Sequence, residues 1–106
     1  MTSFTKNVVE IILSIPEGKV MSYGQIARAA GSPRAARQVV RILHSMSAKY
    51  NLPWHRVINS KGEIGFQDED SMREQVDRLE YEGVEVSPKN KIDLTEFGWI
   101  PDRHVQ

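Results

Sequence analysis

Two helix-start signals, at Ser22 and at Ser32, constrain this chain more than anything else in it. Ser22-Tyr23-Gly24-Gln25 has the form of a capping box: the serine caps the first turn and the glutamine three residues later reaches back. Ser32-Pro33 repeats the signal, with serine as N-cap and proline at the first helical position. Gly31 lies between them and stops the first helix. That helix carries Ile26, Ala27 and Ala30; the second carries Ala36, Val39, Val40 and Leu43 on one side. Two short helices joined by a glycine-containing turn form a helix-turn-helix, whose second helix is the one that enters DNA.

The flanking segments complete a small, mainly α domain. Phe4, Val8, Ile11, Ile12 and Ile15 recur at helical spacing after Thr2 or Ser3 as N-cap, and Pro16-Glu17-Gly18 ends the run. Arg56-Val57-Ile58-Asn59 and Glu63-Ile64-Gly65-Phe66 flank Ser60-Lys61-Gly62, which predicts a β-hairpin; after a helix-turn-helix, a hairpin is a wing. Asp68-Glu69-Asp70 crowds carboxylates at the start of a further helix, lined by Met72, Val76 and Leu79 and ended by Gly83. The remainder, through Phe97 and Trp99, reads as an irregular tail laid over the core. The expectation is one winged helix-turn-helix domain over residues 1–106, with a core modest enough to need no staple. That matters, because the chain has no cysteine and so no disulfide or zinc–thiolate site. No cofactor and no metal are expected. Residues 1–6 lead into no signal-peptide pattern, and residues 8–15 are interrupted by Glu10 and too short to span a bilayer. The expected protein is a cytoplasmic monomer with no membrane partner.

Net charge is zero, but its distribution is polarised. Residues 18–61 hold Lys19, Arg28, Arg34, Arg37, Arg41, Lys49, Arg56 and Lys61 and no acidic residue. From residue 62 onward 12 acidic residues face 5 basic ones. A basic middle and an acidic end suit either a DNA face or two solvated surfaces that attract each other. Arg34, Arg37 and Arg41 fall at i, i+3 and i+7, opposite the apolar stripe of their helix, with no acidic residue one turn on. Guanidiniums free of such partners favour phosphates and bases over an ordinary solvated helix. The acidic end reads as a protein-docking or DNA-repelling surface, or simply as a solvated acidic helix.

Pro53-Trp54-His55-Arg56-Val57-Ile58 resembles the active-site motif of the O6-alkylguanine-DNA alkyltransferases, Pro-Cys-His-Arg-Val, with tryptophan in place of cysteine. Gly18-Lys19-Val20, Ser22-Tyr23-Gly24-Gln25-Ile26-Ala27 and Gly31-Ser32-Pro33-Arg34-Ala35-Ala36-Arg37 resemble that family's DNA-binding helices, and Tyr81-Glu82-Gly83 its glutamate-bearing helix end. The likeness covers roughly residues 4–86, the C-terminal domain of those enzymes. A tryptophan at the cysteine position marks the alkyltransferase-like proteins.

The resemblance implies how the parts act. In those enzymes a cysteine takes the alkyl group from guanine O6, a step that needs a thiolate. Trp54 is no such nucleophile, so His55 and Glu82, which match the thiol-activating pair, become a hydrogen-bonded scaffold. Tyr23 matches the tyrosine that crowds the target phosphate, and Arg37 the arginine that enters the duplex and fills the vacated space. Ser32, Arg34 and Arg41 complete the DNA-binding set. Trp54, Tyr23, Pro53, His55, Arg56 and Val57 enclose the lesion pocket, where Trp54 forms a wall rather than core filling. The implied partners are duplex DNA carrying O6-alkylguanine and, downstream, nucleotide excision repair proteins. A badly paired base is cheaper to flip than a normal one. Two departures stand out. No hinge asparagine is evident in Ser45-Met46-Ser47-Ala48, and Gln67-Asp68-Glu69-Asp70 lacks the tyrosine-serine pair that contacts the O6 substituent. The rival functions are a sequence-specific winged-helix regulator, a hydrolase or glycosylase using His55 and Glu82 as acid and base, and a residual alkyltransferase with His55 as acceptor.

Overall fold

The structure is a computed structural model and describes residues 1–101; Asp102 and Arg103, counted with the acidic end, lie outside them. Helix α1, Ser3–Ser14, is capped by Thr2, whose side chain accepts from the Thr5 N–H at 3.1 Å. Its face of Val8, Val9 and Ile12 is buried. After a short strand β1, Met21–Ser22, the capping box forms as the sequence predicts: Gln25 N–H donates to Ser22 Oγ at 3.1 Å, and Ser22 N–H to Gln25 Oε1 at 2.9 Å. It opens α2, Tyr23–Ala29, and the chain reverses at Gly31, φ +103°.

The second helix of the unit starts later than expected. Helix α3 spans Ala36–Tyr50, and Ser32 does not cap it. Ser32 instead donates its N–H back to Ala27 O at 2.9 Å, closing the end of α2, and accepts from Ala35 N–H at 3.0 Å. Pro33 thus occupies the second position of a four-residue turn, where its fixed φ fits as well as at a helix start. Arg34 stands in this turn, not on the helix. The buried stripe of α3 is Val39, Ile42 and Leu43; Val40, expected on it, is 43 % exposed. The helix runs straight through Ser45-Met46-Ser47-Ala48 and ends at Asn51, which is left-handed at φ 52°.

A 3-10 turn, Trp54–Arg56, leads into β2, Val57–Ile58, and here the hairpin expectation needs correction. The turn at Ser60-Lys61-Gly62 exists, but only one backbone bond, Asn59 N–H to Glu63 O at 3.2 Å, joins its arms. Strand β2 pairs in parallel with β1, Met21 opposite Val57 and Ser22 opposite Ile58. The other arm bonds the later chain: Ile64 N–H reaches Asn90 O and Ile92 N–H reaches Gly62 O. Burial explains the exchange. Met21 and Val57 face a core formed with α1, α2 and α3, whereas Val20, Ile58 and Ile64 face a second core with Leu79, Val84, Ile92 and Phe97. The two-residue sheet divides these cores through the alternation of a strand's side chains.

Asp68 caps α4, Glu69–Tyr81, by accepting from Ser71 N–H at 2.9 Å; hydrogen bonding from the Ser71 side chain, and then from its backbone, lowers the Asp68 carboxyl from its ordinary value. Gly83, φ +91°, follows the helix end at Glu82. The tail is more ordered than expected. It contains a short helix α5, Leu94–Phe97, and returns along β1, where Val20 N–H donates to Phe97 O and Trp99 N–H to Val20 O. Among the described residues no helix is long and apolar enough to cross a membrane, and no cluster of His, Asp or Glu is arranged to hold a metal.

Candidate nucleic-acid interface

Ser32, Pro33, Arg34, Ala35, Arg37, Gln38 and Arg41 line one open groove formed by the turn and the first two turns of α3. Four of the five residues expected to bind DNA therefore meet on one surface. Among the described residues none of these arginines forms an ion pair, so their charge faces outward. Val40, 43 % exposed, lies on the same helix outside the groove lining. Tyr23, the fifth, is the first residue of α2 and lies outside this groove. It packs half-buried on the first core, and burial pushes its hydroxyl pKa up, which keeps the hydroxyl a neutral donor.

The Trp54–Arg56 turn carries the second part. Trp54 is half-buried. Its ring meets Phe66 edge-on at 5.8 Å and His55 at 6.2 Å, and the Arg78 guanidinium lies 5.3 Å from its centroid. His55 is buried and its Nε2 lies 2.8 Å from Glu82 Oε2. A carboxylate only accepts, so Nε2 carries the proton of that bond. Nδ1 is buried and has no hydrogen-bond partner among the described residues.

Glu82 gathers donors from three residues on two segments. Arg56 contributes Nη2 at 2.6 Å and Nε at 3.0 Å, Gly18 its N–H at 3.2 Å, and His55 its Nε2. Burial alone would push the carboxyl up. The bonds from Arg56, then His55, then Gly18 outweigh it and hold the carboxyl at about 2. Arg56 Nη1 also donates to Ile15 O at 2.8 Å, just past the end of α1. Arg56 and Val57, expected in the pocket wall, are both engaged in the fold. Arg56 gives its guanidinium to Glu82 and Ile15, and Val57 is a core strand residue, 2 % exposed. Pro53 and Trp54 keep part of their surface open, next to buried His55.

Sequence reading missed Gln75, Arg78 and Phe66. Gln75 is 2 % exposed, and its Nε2 donates to His55 O and to Val57 O, each at 3.0 Å. Gln75, Arg78 and Glu82, at i, i+3 and i+7, form one face that grips the site turn by its backbone, its indole and its two basic side chains. A polar residue among Met72, Val76 and Leu79 was the available signal for Gln75.

Residues 3–84 match the family described as 6-O-methylguanine DNA methyltransferase, DNA binding domain. The DNA base-flipping protein of Escherichia coli is 45% identical over 97 residues, covering 92% of this chain and 74% of that protein. Alkyltransferase-like protein 1 of Schizosaccharomyces pombe is 42% identical over 106 residues, covering 95% of this chain and 98% of that one. Its solved structure with damaged DNA containing O6-carboxymethylguanine superposes with a TM-score of 0.84 at 42% identity, again over 95% and 98% of the two chains. The O6-methylguanine methyltransferase of Mycobacterium tuberculosis superposes with a TM-score of 0.61 at 30% identity, over 90% of this chain and 55% of that enzyme. This chain belongs to the 6-O-methylguanine DNA methyltransferase DNA-binding-domain family, among its alkyltransferase-like members.

Proposed function

We propose that this protein is a non-enzymatic sensor of O6-alkylguanine in duplex DNA. It binds from the minor groove, Arg37 enters the duplex, Tyr23 crowds the target phosphate, and the extruded base rests against Trp54. The single observation that carries this is the Pro53-Trp54-His55-Arg56 turn, which offers an aromatic wall beside a His–Glu pair in a chain without cysteine. The DNA-bound structures of the yeast relative, one with O6-carboxymethylguanine, support the same use of the fold here. General acid–base chemistry fits the site poorly. Glu82 is already anionic and bound by Arg56 at 2.6 Å, so it is a weak base. The protein acts in the cytoplasm as a single copy and hands the damage to nucleotide excision repair. The hand-over predicts that deleting this protein adds no alkylation sensitivity to a strain already lacking that pathway.

The deciding experiment titrates the protein against duplexes that differ only by guanine or O6-methylguanine, followed by mass spectrometry of both components. The expected result is tighter binding of the alkylated duplex with no change of mass in either partner. Equal affinities at matched salt would overturn lesion recognition in favour of a sequence-specific regulator. A mass change would make the protein an enzyme.

A further inference from the structure

Arg78 differs from every other arginine near the site. Arg56 is part-buried with its donors occupied by Glu82 and Ile15 O, and Arg34, Arg37 and Arg41 line the groove on the recognition helix and its preceding turn. Arg78 stands against the indole of Trp54, its guanidinium 5.3 Å from the ring centroid, and its side chain is 49% exposed. Its one carboxylate partner among the described residues is Glu74, one turn earlier, at 2.7 Å and itself 52% exposed. A guanidinium has five N–H donors, and this pairing engages only its Nη2 end. An exposed pair of this kind is weak and opens readily to another anion. Of the two rings that meet Trp54, Phe66 is apolar and His55 is held by Glu82.

We propose that Arg78 is a specificity-determining residue that favours O6 adducts ending in a negative charge, of which a carboxylate is the simplest. The proposal rests on Trp54 being the wall against which the flipped base lies. A substituent on guanine O6 that reaches this wall comes within a few ångströms of a cation already stacked on it, with donors to spare. A neutral substituent of the same shape gains only the apolar contact. Glu74 competes for the same guanidinium, so it moderates the preference in the wild-type protein.

The test uses four duplexes identical except for one base: guanine, O6-methylguanine, O6-carboxymethylguanine, and the neutral carbamoylmethyl analogue of the last. Each is titrated at fixed salt with the wild-type protein, Arg78→Gln and Glu74→Gln. The wild type should bind the carboxylate about three- to five-fold more tightly than its amide, the upper part of the range of an exposed ion pair. Arg78→Gln should bring that ratio to one while keeping the preference for O6-methylguanine over guanine, and Glu74→Gln should widen it. A ratio unchanged by Arg78→Gln overturns the proposal. So does an equal loss of affinity for all three modified bases, which would mean that Arg78 merely steadies Trp54. A wild type that separates carboxylate from amide not at all, yet prefers O6-methylguanine to guanine, refutes Arg78 alone. No preference for any modified base refutes lesion recognition itself.

Discussion

Glu82→Gln should be the most damaging single-atom exchange in this protein. The amide keeps the shape of the side chain but removes the charge that Arg56, His55 and Gly18 converge on. The magnitude follows from the carboxyl's displacement from an ordinary 4.5 to about 2. Such a displacement corresponds to on the order of 3 kcal/mol of stability at neutral pH. The side chain is 8% exposed and that of Arg56 14%, so solvent screens this little. The cost of leaving one partner of a buried pair uncompensated is of the same order. In a domain of this size that lowers Tm by roughly 12–24 °C. The pH dependence has a definite sign. Between 4.5 and about 2 the unfolded chain binds a proton at this position that the folded chain refuses. The stabilisation is therefore complete above the upper value and lost as pH falls toward the lower one. Urea titrations at pH 7 and at steps down to pH 2 measure both effects. The variant should be less stable at pH 7, and the gap should close on acidification. A loss below about 1 kcal/mol at pH 7, the scale of an exposed pair, would refute the reasoning. So would a gap that stays constant with pH.

Arg37→Ala should weaken binding to alkylated duplex strongly and Arg28→Ala much less, because Arg37 lines the groove and Arg28 sits on α2 outside it; equal losses in a matched titration would mean that the arginines act only as general charge. Gln75→Leu should cost about 1–3 kcal/mol by stranding the carbonyls of His55 and Val57. It should also erode the preference for alkylated over normal duplex more than binding to the normal duplex; a uniform loss would show that Gln75 does not position the site turn. Trp54→Cys should put a thiol beside His55 yet yield no alkyl transfer, since a misplacement of about 1 Å can cost a hundredfold in rate; a gain of one methyl group on the variant, read by mass spectrometry, would prove otherwise.

Local chemistry made α1, the capping box at Ser22 and the acidic start of α4 readable, because each is decided by residues within a turn of one another. Ser32-Pro33 was ambiguous for the same reason. Serine followed by proline suits a helix start and a turn equally, and what decided between them was the Ser32 N–H going back to Ala27 O. The partner of β2 was beyond any periodicity argument. Two residues carry no measurable alternation, and their mate lies 36 positions earlier. The site was legible only through its likeness to known motifs. His55 and Glu82 could be paired in that way, but nothing in the sequence said that Arg56 would turn inward to Glu82. Nor did anything say that Arg78 would reach across to Trp54.

The bonds that close the site span most of the chain: Gly18 to Glu82 across 64 positions, and Lys19 to Glu96 across 77. A nascent chain exposes its groove-forming helices long before the residues that fix the Trp54 turn have been synthesised. Contacts so distant in sequence form late, after their loop entropy has been overcome. A chain interrupted before Glu82 would carry all three groove arginines without the carboxylate that holds His55 and Arg56. The Trp54 turn is thus fixed only once Glu82 has been made, well after the helices that form the groove.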